Sequence, residues 1–186
     1  MSNSHVTGWA SDAPTPAQIK ELFAQIESGR VTKESLQAFL RGETIESFPI
    51  SVDYGQTLAS MIASCKLDWV NSGITQKNFP FTGNGKIELL PELVHFGKGI
   101  SSDNALKEID LRGLRPATLP ELLAFGTKYP EKQREFPVVA LGSVWTSSGG
   151  NRYVPYLYEN DSKRRLSLGW CGGDWDDNCR FLSVRK

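Results

Sequence analysis

The chain has 186 residues, with 21 basic and 21 acidic side chains and a formal net charge of zero. A general nucleic-acid-binding protein carries a basic excess, so this balance argues against nucleic acid as the partner. Hydrophobic residues make up 39% of the chain and charged residues 23%, which is typical of a globular protein with a real core.

The N-terminal part predicts a polar lead-in followed by a helical hairpin. Residues 1–14 lack the basic and apolar regions of a signal peptide, and no apolar run is long enough to cross a membrane, so we expect a cytoplasmic protein without a membrane partner. Thr15 and Pro16 begin one helix, and Thr32 caps a second. The hairpin over 15–43 serves either as a structural appendage or as a partner-docking module, and residues 44–186 form the main domain. The apolar stripes of the hairpin are Ile19, Leu22, Phe23 and Ile26, and then Leu36, Phe39 and Leu40.

The first half of the main domain alternates strands and helices. We predict a strand at 48–52, a short helix that begins near Leu58, and a long strand over 87–96 that is broken at Pro91. Residues 68–71 fit a strand or a packed loop equally well. Ser101 or Ser102 caps a further helix that ends by residue 113.

Thr118 marks the start of the helix that divides the domain. Glu121 follows three residues later and completes a capping box, and Pro120 lies in the first turn, where a missing N–H costs little. Gly126 is the predicted C-terminal stop, and residues 127–136 are expected to form a charged loop. Strands then dominate, at 137–141, 152–158, 165–170 and 179–184, so the fold class is α+β.

The loops between these last strands are the strongest functional signal. Residues 146–151, 159–163 and 171–178 are rich in Ser, Gly, Asn and Asp, with aromatic residues in or beside them. Rigid aromatic rings and adaptable small polar groups are typical of protein-binding loops on a fixed scaffold. In the alternative interpretation, the aromatic residues are core and the rest is ordinary turn chemistry. The predicted ligand-binding residues are Trp145, Ser147, Asn151, Tyr153, Tyr158, Asn160, Trp170, Asp174, Trp175, Asp176 and Asn178.

A small thiol- or histidine-dependent enzyme is the competing hypothesis. Cys171, Cys179 or His95 would supply its reactive group, with Arg152 and Arg180 as cations that stabilise a thiolate. No nucleophile motif supports this, and His95 within a strand favours a structural role. The three cysteines do not form a disulfide framework, although a bridge between Cys171 and Cys179 stays open for an exported protein.

No cofactor or metal is predicted. Asp174, Asp176 and Asp177 have oxygens of the kind that calcium uses, but their spacing is not that of an EF-hand loop. A solvated turn is the simpler interpretation.

The segment from Gly113 to Leu123 resembles the helix start of C-type-lectin-like domains of the formylglycine-generating-enzyme type. Residues 138–145, the segment Gly172-Gly173-Asp174-Trp175 and the closing residues 179–185 are similar to later parts of that family, so the likeness covers about 93–186. Leu122 replaces the family's tryptophan. The resemblance implies a C-type-lectin-like fold after the hairpin. It carries over neither the family's cysteine-dependent oxidase activity nor calcium-dependent sugar binding, because the corresponding motifs are missing.

The same region resembles the variable proteins of diversity-generating retroelements. Those proteins present hypervariable residues on a lectin-fold surface near the C-terminus. The comparable segments here are 145–151, 159–163 and 170–178. The sequence therefore predicts a non-catalytic protein that binds a protein or another macromolecule through its C-terminal loops.

Overall fold

The computed structural model describes residues 14–28, 31, 36, 37, 40 and 48–186. The chain divides into two compact units, residues 1–46 and 47–186. In the first unit, helix α1 covers Pro16–Glu27 and begins at the predicted cap, where Thr15 and Gln18 form a capping box. Residues 36, 37 and 40 are helical, but Thr32 and the remainder of the predicted second helix lie outside the described residues, as does the lead-in up to residue 13.

The second unit is an α+β domain, as the sequence predicts. Its helices are α2 Leu58–Ser64, α3 Ser102–Leu111, α4 Leu119–Lys128 and α5 Lys132–Glu135. Its strands are β1 Ile50–Asp53, β2 Trp69–Val70, β3 Lys86–Leu89, β4 Glu92–Val94, β5 Ile100–Ser101, β6 Leu114–Pro116, β7 Val138–Val139, β8 Trp145–Thr146, β9 Arg152–Asn160, β10 Lys163–Trp170, β11 Asp174–Trp175 and β12 Arg180–Arg185. Among the described residues, no helix combines the length and the apolar character needed to cross a membrane.

An eight-stranded mixed sheet organises this unit. Its main order is β2-β10-β9-β7-β12-β4, with β6 also paired to β12 and β8 also paired to β9. Strands β9 and β10 form a long antiparallel hairpin in which Asn160 pairs with Lys163 at the turn and Tyr153 pairs with Trp170 at the far end. Two small sheets, β1-β3 and β5-β11, complete the described unit.

The two faces of the main sheet bury different cores. Leu157, Leu166 and Leu182 lie on one side, in the cluster that contains the apolar residues of α2 and α4. We call this side the α4 face. Val154 and Phe181 lie on the other side, in the cluster that contains α3, and we call it the α3 face. Successive side chains of a strand alternate between the two faces. The pairing register therefore shows, for each residue of β9 and β10, whether it lies on the α4 face or on the α3 face.

Helix α4 begins where predicted but runs past its predicted end. Thr118 N–H donates to Glu121 Oε2 at 2.7 Å in the capping box, and the helix continues to Lys128. The assignment of Gly126 as the helix stop is wrong. A Cβ there would lie 2.6 Å from Leu157 Cδ1, so this glycine is needed for the close approach of α4 to the sheet. The remainder of the expected loop 127–136 contains the short helix α5.

The strand predicted over 87–96 is two strands in different sheets. β3 pairs with β1 in a separate two-stranded sheet, whereas β4 pairs with β12 in the main sheet. Pro91 lies between them, which fits the loss of a backbone donor at that position.

Buried polar groups tie the helices to the sheet. Arg164 is 7% exposed, and its guanidinium donates to Cys65 O at 2.9 Å, Gly126 O at 2.7 Å and Gln133 Oε1 at 3.2 Å. Two of these acceptors are carbonyls near the C-terminal ends of α2 and α4, where the helix dipole favours a cation. Gln133 in turn donates to Tyr158 O at 2.8 Å, so the β9-β10 hairpin is anchored from α5.

Candidate functional site

Three aromatic side chains form a row at the open end of the β9-β10 hairpin. Trp145 of β8 pairs with Tyr153 of β9, and Tyr153 pairs with Trp170 of β10. Directly paired residues lie on the same face, which here is the α4 face. The rings of Trp145 and Tyr153 are 5.6 Å apart and 31° from parallel. We call Trp145, Tyr153 and Trp170 the aromatic row.

The ring of Trp170 packs against the backbone of two glycines. A Cβ on Gly172 would lie 2.3 Å from Trp170 Cζ2, and one on Gly173 would lie 3.5 Å from Trp170 Cε3. The indole therefore rests against the Gly172-Gly173 backbone, while 54% of the residue's surface stays exposed. A large apolar side chain that is fixed by packing and yet exposed to solvent is typical of residues that anchor a binding partner.

The turn between β8 and β9 adds small polar groups beside the row. Ser147 N–H donates to Asn151 O and Gly150 N–H donates to Ser147 O, both at 2.9 Å, so the turn is internally bonded. Asn151 is exposed and Ser147 is half-buried. Five predicted site residues thus come together at this end of the sheet: Trp145, Ser147, Asn151, Tyr153 and Trp170.

The prediction that Trp175 is displayed to a ligand is wrong, because Trp175 is core. It is 9% exposed, its Nε1–H donates to Ser102 Oγ at 2.9 Å, and its ring meets Phe181 edge-on at 6.2 Å. Strand β11 pairs with β5 and its two side chains alternate, so Asp174 faces solvent and Trp175 turns inward. Asp174 remains available to a ligand.

The three C-terminal loops do not all lie at the same end of the sheet. The turn at 159–163 closes the β9-β10 hairpin, and Asn160 is seven residues along β9 from Tyr153, or roughly 23 Å at about 3.3 Å per residue. Tyr158 lies near that distant end, on the α3 face. Because consecutive turns of an antiparallel hairpin lie at opposite ends, one loop of the predicted set had to be remote.

Residues 176–178 form a turn that His95 holds. His95 Nε2 is 2.8 Å from Asp177 O, and because a carbonyl only accepts, that nitrogen carries the proton. Cys179 N–H donates to Asp176 O at 3.2 Å, and Arg180 Nη1 donates to Asn178 O at 2.8 Å. These bonds fit the structural role expected for His95, and they involve backbone groups of residues 176–178. The side chain of Asn178 separately accepts from Cys179 Sγ at 3.9 Å.

The thiols are poorly placed to act as nucleophiles. Burial raises the pKa of Cys65, Cys171 and Cys179, so each is held as a protonated thiol at neutral pH. The nearby cations, Arg152 beside Cys171 and Arg180 beside Cys179, oppose that rise without reversing it. All three cysteines are free.

The described part of the chain contains no group of three or more His, Cys, Asp or Glu side chains arranged to hold a metal ion. The interpretation of Asp174, Asp176 and Asp177 as a solvated turn rather than a calcium site stays a prediction. Comparison with protein-family models, with curated proteins and with solved structures gave no match.

Proposed function

We propose that this protein is a non-catalytic binding protein that contacts a protein or other macromolecule through the aromatic row. The observation that carries the proposal is Trp170, which is 54% exposed yet seated on the Gly172-Gly173 backbone. Its orientation is set before binding, so little side-chain entropy is lost on contact. The half-buried Tyr153 and Trp145 beside it extend the apolar area, and Asn151 and Asp174 supply polar groups nearby.

A C-type-lectin-like architecture with a variable surface is the finer part of the proposal. The mixed sheet, whose closing strand β12 lies between β7 and β4, and the helix that starts at Thr118 support it. Sequencing the 3′ part of the gene across a natural population tests the variable surface. Adenine-biased substitutions concentrated in codons 145–178 are expected, and a uniform sequence there would leave a binder of fixed specificity.

Partner docking through the N-terminal hairpin is a second component. Three apolar residues of α1 are exposed within their own unit: Ile19 at 44%, Leu22 at 38% and Phe23 at 60%. An apolar stripe of this kind is typical of a helix that packs against a partner. Deletion of residues 1–43 is expected to abolish this second interaction and to leave ligand binding through the aromatic row unchanged. We also propose a cytoplasmic location, where the three free thiols would stay reduced.

The test of the main proposal is ligand capture by two matched variants. Trp170→Ala removes the anchor, and Leu111→Ala removes a leucine that is 80% exposed on α3, away from the aromatic row. Proteins that copurify with the tagged full chain should be lost with Trp170→Ala, at a cost of about 2 kcal/mol or more in affinity, and retained with Leu111→Ala. Equal capture by Trp170→Ala and the unsubstituted chain, with both folded, would contradict the proposal.

A further inference from the structure

Arg165 stands out among the arginines of residues 48–186, since its side chain has no partner within the described residues. Its Nε is buried and makes no hydrogen bond. The other arginines of this unit are all engaged, for example Arg115 with Glu121 at 2.7 Å and Arg152 with Asp103 at 3.8 Å. The two terminal Nη groups also make no hydrogen bond to the described residues and, unlike Nε, they are not buried, so they are open to a ligand.

Two aromatic residues flank Arg165 on the α3 face of the sheet. Arg165 pairs with Trp69 of β2 on one side and with Tyr158 of β9 on the other, so all three belong to one face. Trp69 is 43% exposed at the sheet edge, and the ring of Tyr158 stacks on Tyr156 at 5.0 Å. We call Trp69, Arg165 and Tyr158 the arginine cradle.

Hydrogen bonds from neighbouring side chains fix the backbone of the cradle. Gln133 Nε2 donates to Tyr158 O at 2.8 Å and to Arg165 O at 3.3 Å. The neighbouring Arg164 is fixed by its buried network, and Asp68, next to Trp69, accepts from Arg164 N–H at 2.7 Å. A rigid frame under an uncommitted cation is the arrangement expected of a preorganised site.

Charge on this part of the sheet favours an anionic ligand. Lys163 lies two residues before Arg165, so it is on the same face, and it is exposed. The carboxylates of the adjoining hairpin turn keep their negative charge but are held within the turn, because Glu159 Oε1 accepts from Ser162 N–H at 2.7 Å and Asp161 Oδ2 accepts from Asn160 Nδ2 at 3.1 Å. Glu159 also pairs with Arg164, which places it on the α4 face.

We propose that the arginine cradle is a binding site for an acidic segment of a partner protein, with a carboxylate on the terminal Nη groups of Arg165 and an apolar side chain between Trp69 and Tyr158. Planar guanidinium groups recognise carboxylates through paired hydrogen bonds, and aromatic rims exclude water from such pairs. A nucleic acid fits less well, because two cations in a chain of zero net charge neutralise few phosphates. The site lies on the opposite face from the aromatic row and is independent of the function proposed for that row.

The experiment is an NMR titration of the ¹⁵N-labelled full chain. The probe is the peptide acetyl-Glu-Phe-Glu-Glu-Phe-amide, and its control is the same peptide with glutamine in place of every glutamate. The acidic peptide should shift the Arg165 Nε–H and Trp69 indole N–H signals saturably. The glutamine peptide should bind at least about tenfold more weakly, since the charge-assisted bonds are lost.

Matched variants separate the cradle from general surface charge. Arg165→Gln should weaken binding of the acidic peptide at least about tenfold, and Arg165→Lys should restore only part of it, because an ammonium lacks the planar fork. Arg152→Gln, which removes an exposed arginine at the other end of β9, should leave the affinity unchanged. Amide dispersion of each variant verifies its fold.

Three results would overturn the cradle: equal affinity for both peptides, unchanged affinity in Arg165→Gln, or tighter binding of an oligothymidylate than of the acidic peptide. Trp170→Ala separates the two proposals, because it should abolish capture by the aromatic row while the peptide titration stays the same.

Discussion

Two glycines support two tryptophans with opposite roles, and substituting each by alanine tests those roles. A Cβ on Gly169 would lie 2.2 Å from Trp175 Cη2, and a Cβ on Gly172 would lie 2.3 Å from Trp170 Cζ2. Each methyl group forces the indole beside it to move. The cost depends on whether that indole has somewhere to go.

Gly169→Ala should be strongly destabilising. Trp175 is 9% exposed and bonded to Ser102 at 2.9 Å, so its ring can move only by disturbing the core on the α3 face. Overpacking costs about 1–3 kcal/mol, and loss of the buried hydrogen bond adds about 1 kcal/mol, which gives about 2–4 kcal/mol in the free energy of unfolding. At roughly 3 °C per kcal/mol for a chain of this size, Tm should fall by about 6–12 °C.

Gly172→Ala should leave stability almost unchanged and impair binding. Trp170 is 54% exposed, so its ring can swing into solvent at a cost below about 1 kcal/mol. The anchor then loses its fixed orientation. Gly173→Ala is the control for both, since its Cβ would stand at an ordinary contact distance of 3.5 Å.

Urea denaturation followed by tryptophan fluorescence, together with thermal unfolding, measures the first effect, and ligand capture measures the second. Equal losses of stability in Gly169→Ala and Gly172→Ala would refute the distinction between a core and a surface tryptophan. So would full ligand capture by Gly172→Ala.

Three further predictions concern the buried polar groups and the thiols. Burial opposes ionisation of Glu121, but hydrogen bonds from Arg115 and Thr118 outweigh it and lower the pKa of this carboxyl. The carboxylate therefore stabilises the fold above its unfolded pKa of about 4.3, and this contribution is lost as pH falls through the lower folded pKa. The acid-induced drop in the urea midpoint should accordingly be smaller in Glu121→Gln. Arg164→Met should cost at least about 3 kcal/mol in urea unfolding, because it leaves several buried carbonyls without a donor, and a loss under 1 kcal/mol would contradict that network. Since burial raises the pKa of all three thiols, alkylation by iodoacetamide should be slow at pH 7 and accelerate only above the usual thiol range, whereas rapid labelling of one cysteine at pH 7 would revive the thiol-enzyme hypothesis.

Local capping chemistry made the helix starts readable from sequence. Thr15, Ser101 and Thr118 are all caps, because hydrogen bonds between residues three apart need no knowledge of the rest of the fold. The sequence pattern is misleading at Gly126 for the converse reason. Its role is to let Leu157 approach from thirty-one positions further along the chain, and only the tertiary structure brings that residue near.

The candidate site shows the same division between local and long-range information. Trp170 and Trp175 look alike in sequence, and only the pairing of β11 with β5 turns one of them into core. Gly172 and Gly173, which follow Trp170 closely in the sequence, are a signal that could have indicated how its ring packs. The arginine cradle had no such signal, since Trp69 and Arg165 meet through a parallel pairing of residues 96 positions apart.

Photo-crosslinking from the turn beside the aromatic row tests the central claim most directly. A crosslinking amino acid at the exposed position 148 should capture a macromolecular partner in cells, and the same group at position 111 on α3 should not. Adding Trp170→Ala should abolish the crosslink from position 148 without changing the level of folded protein. A crosslink from position 148 that persists in Trp170→Ala, or one that forms only from position 111, would contradict the account.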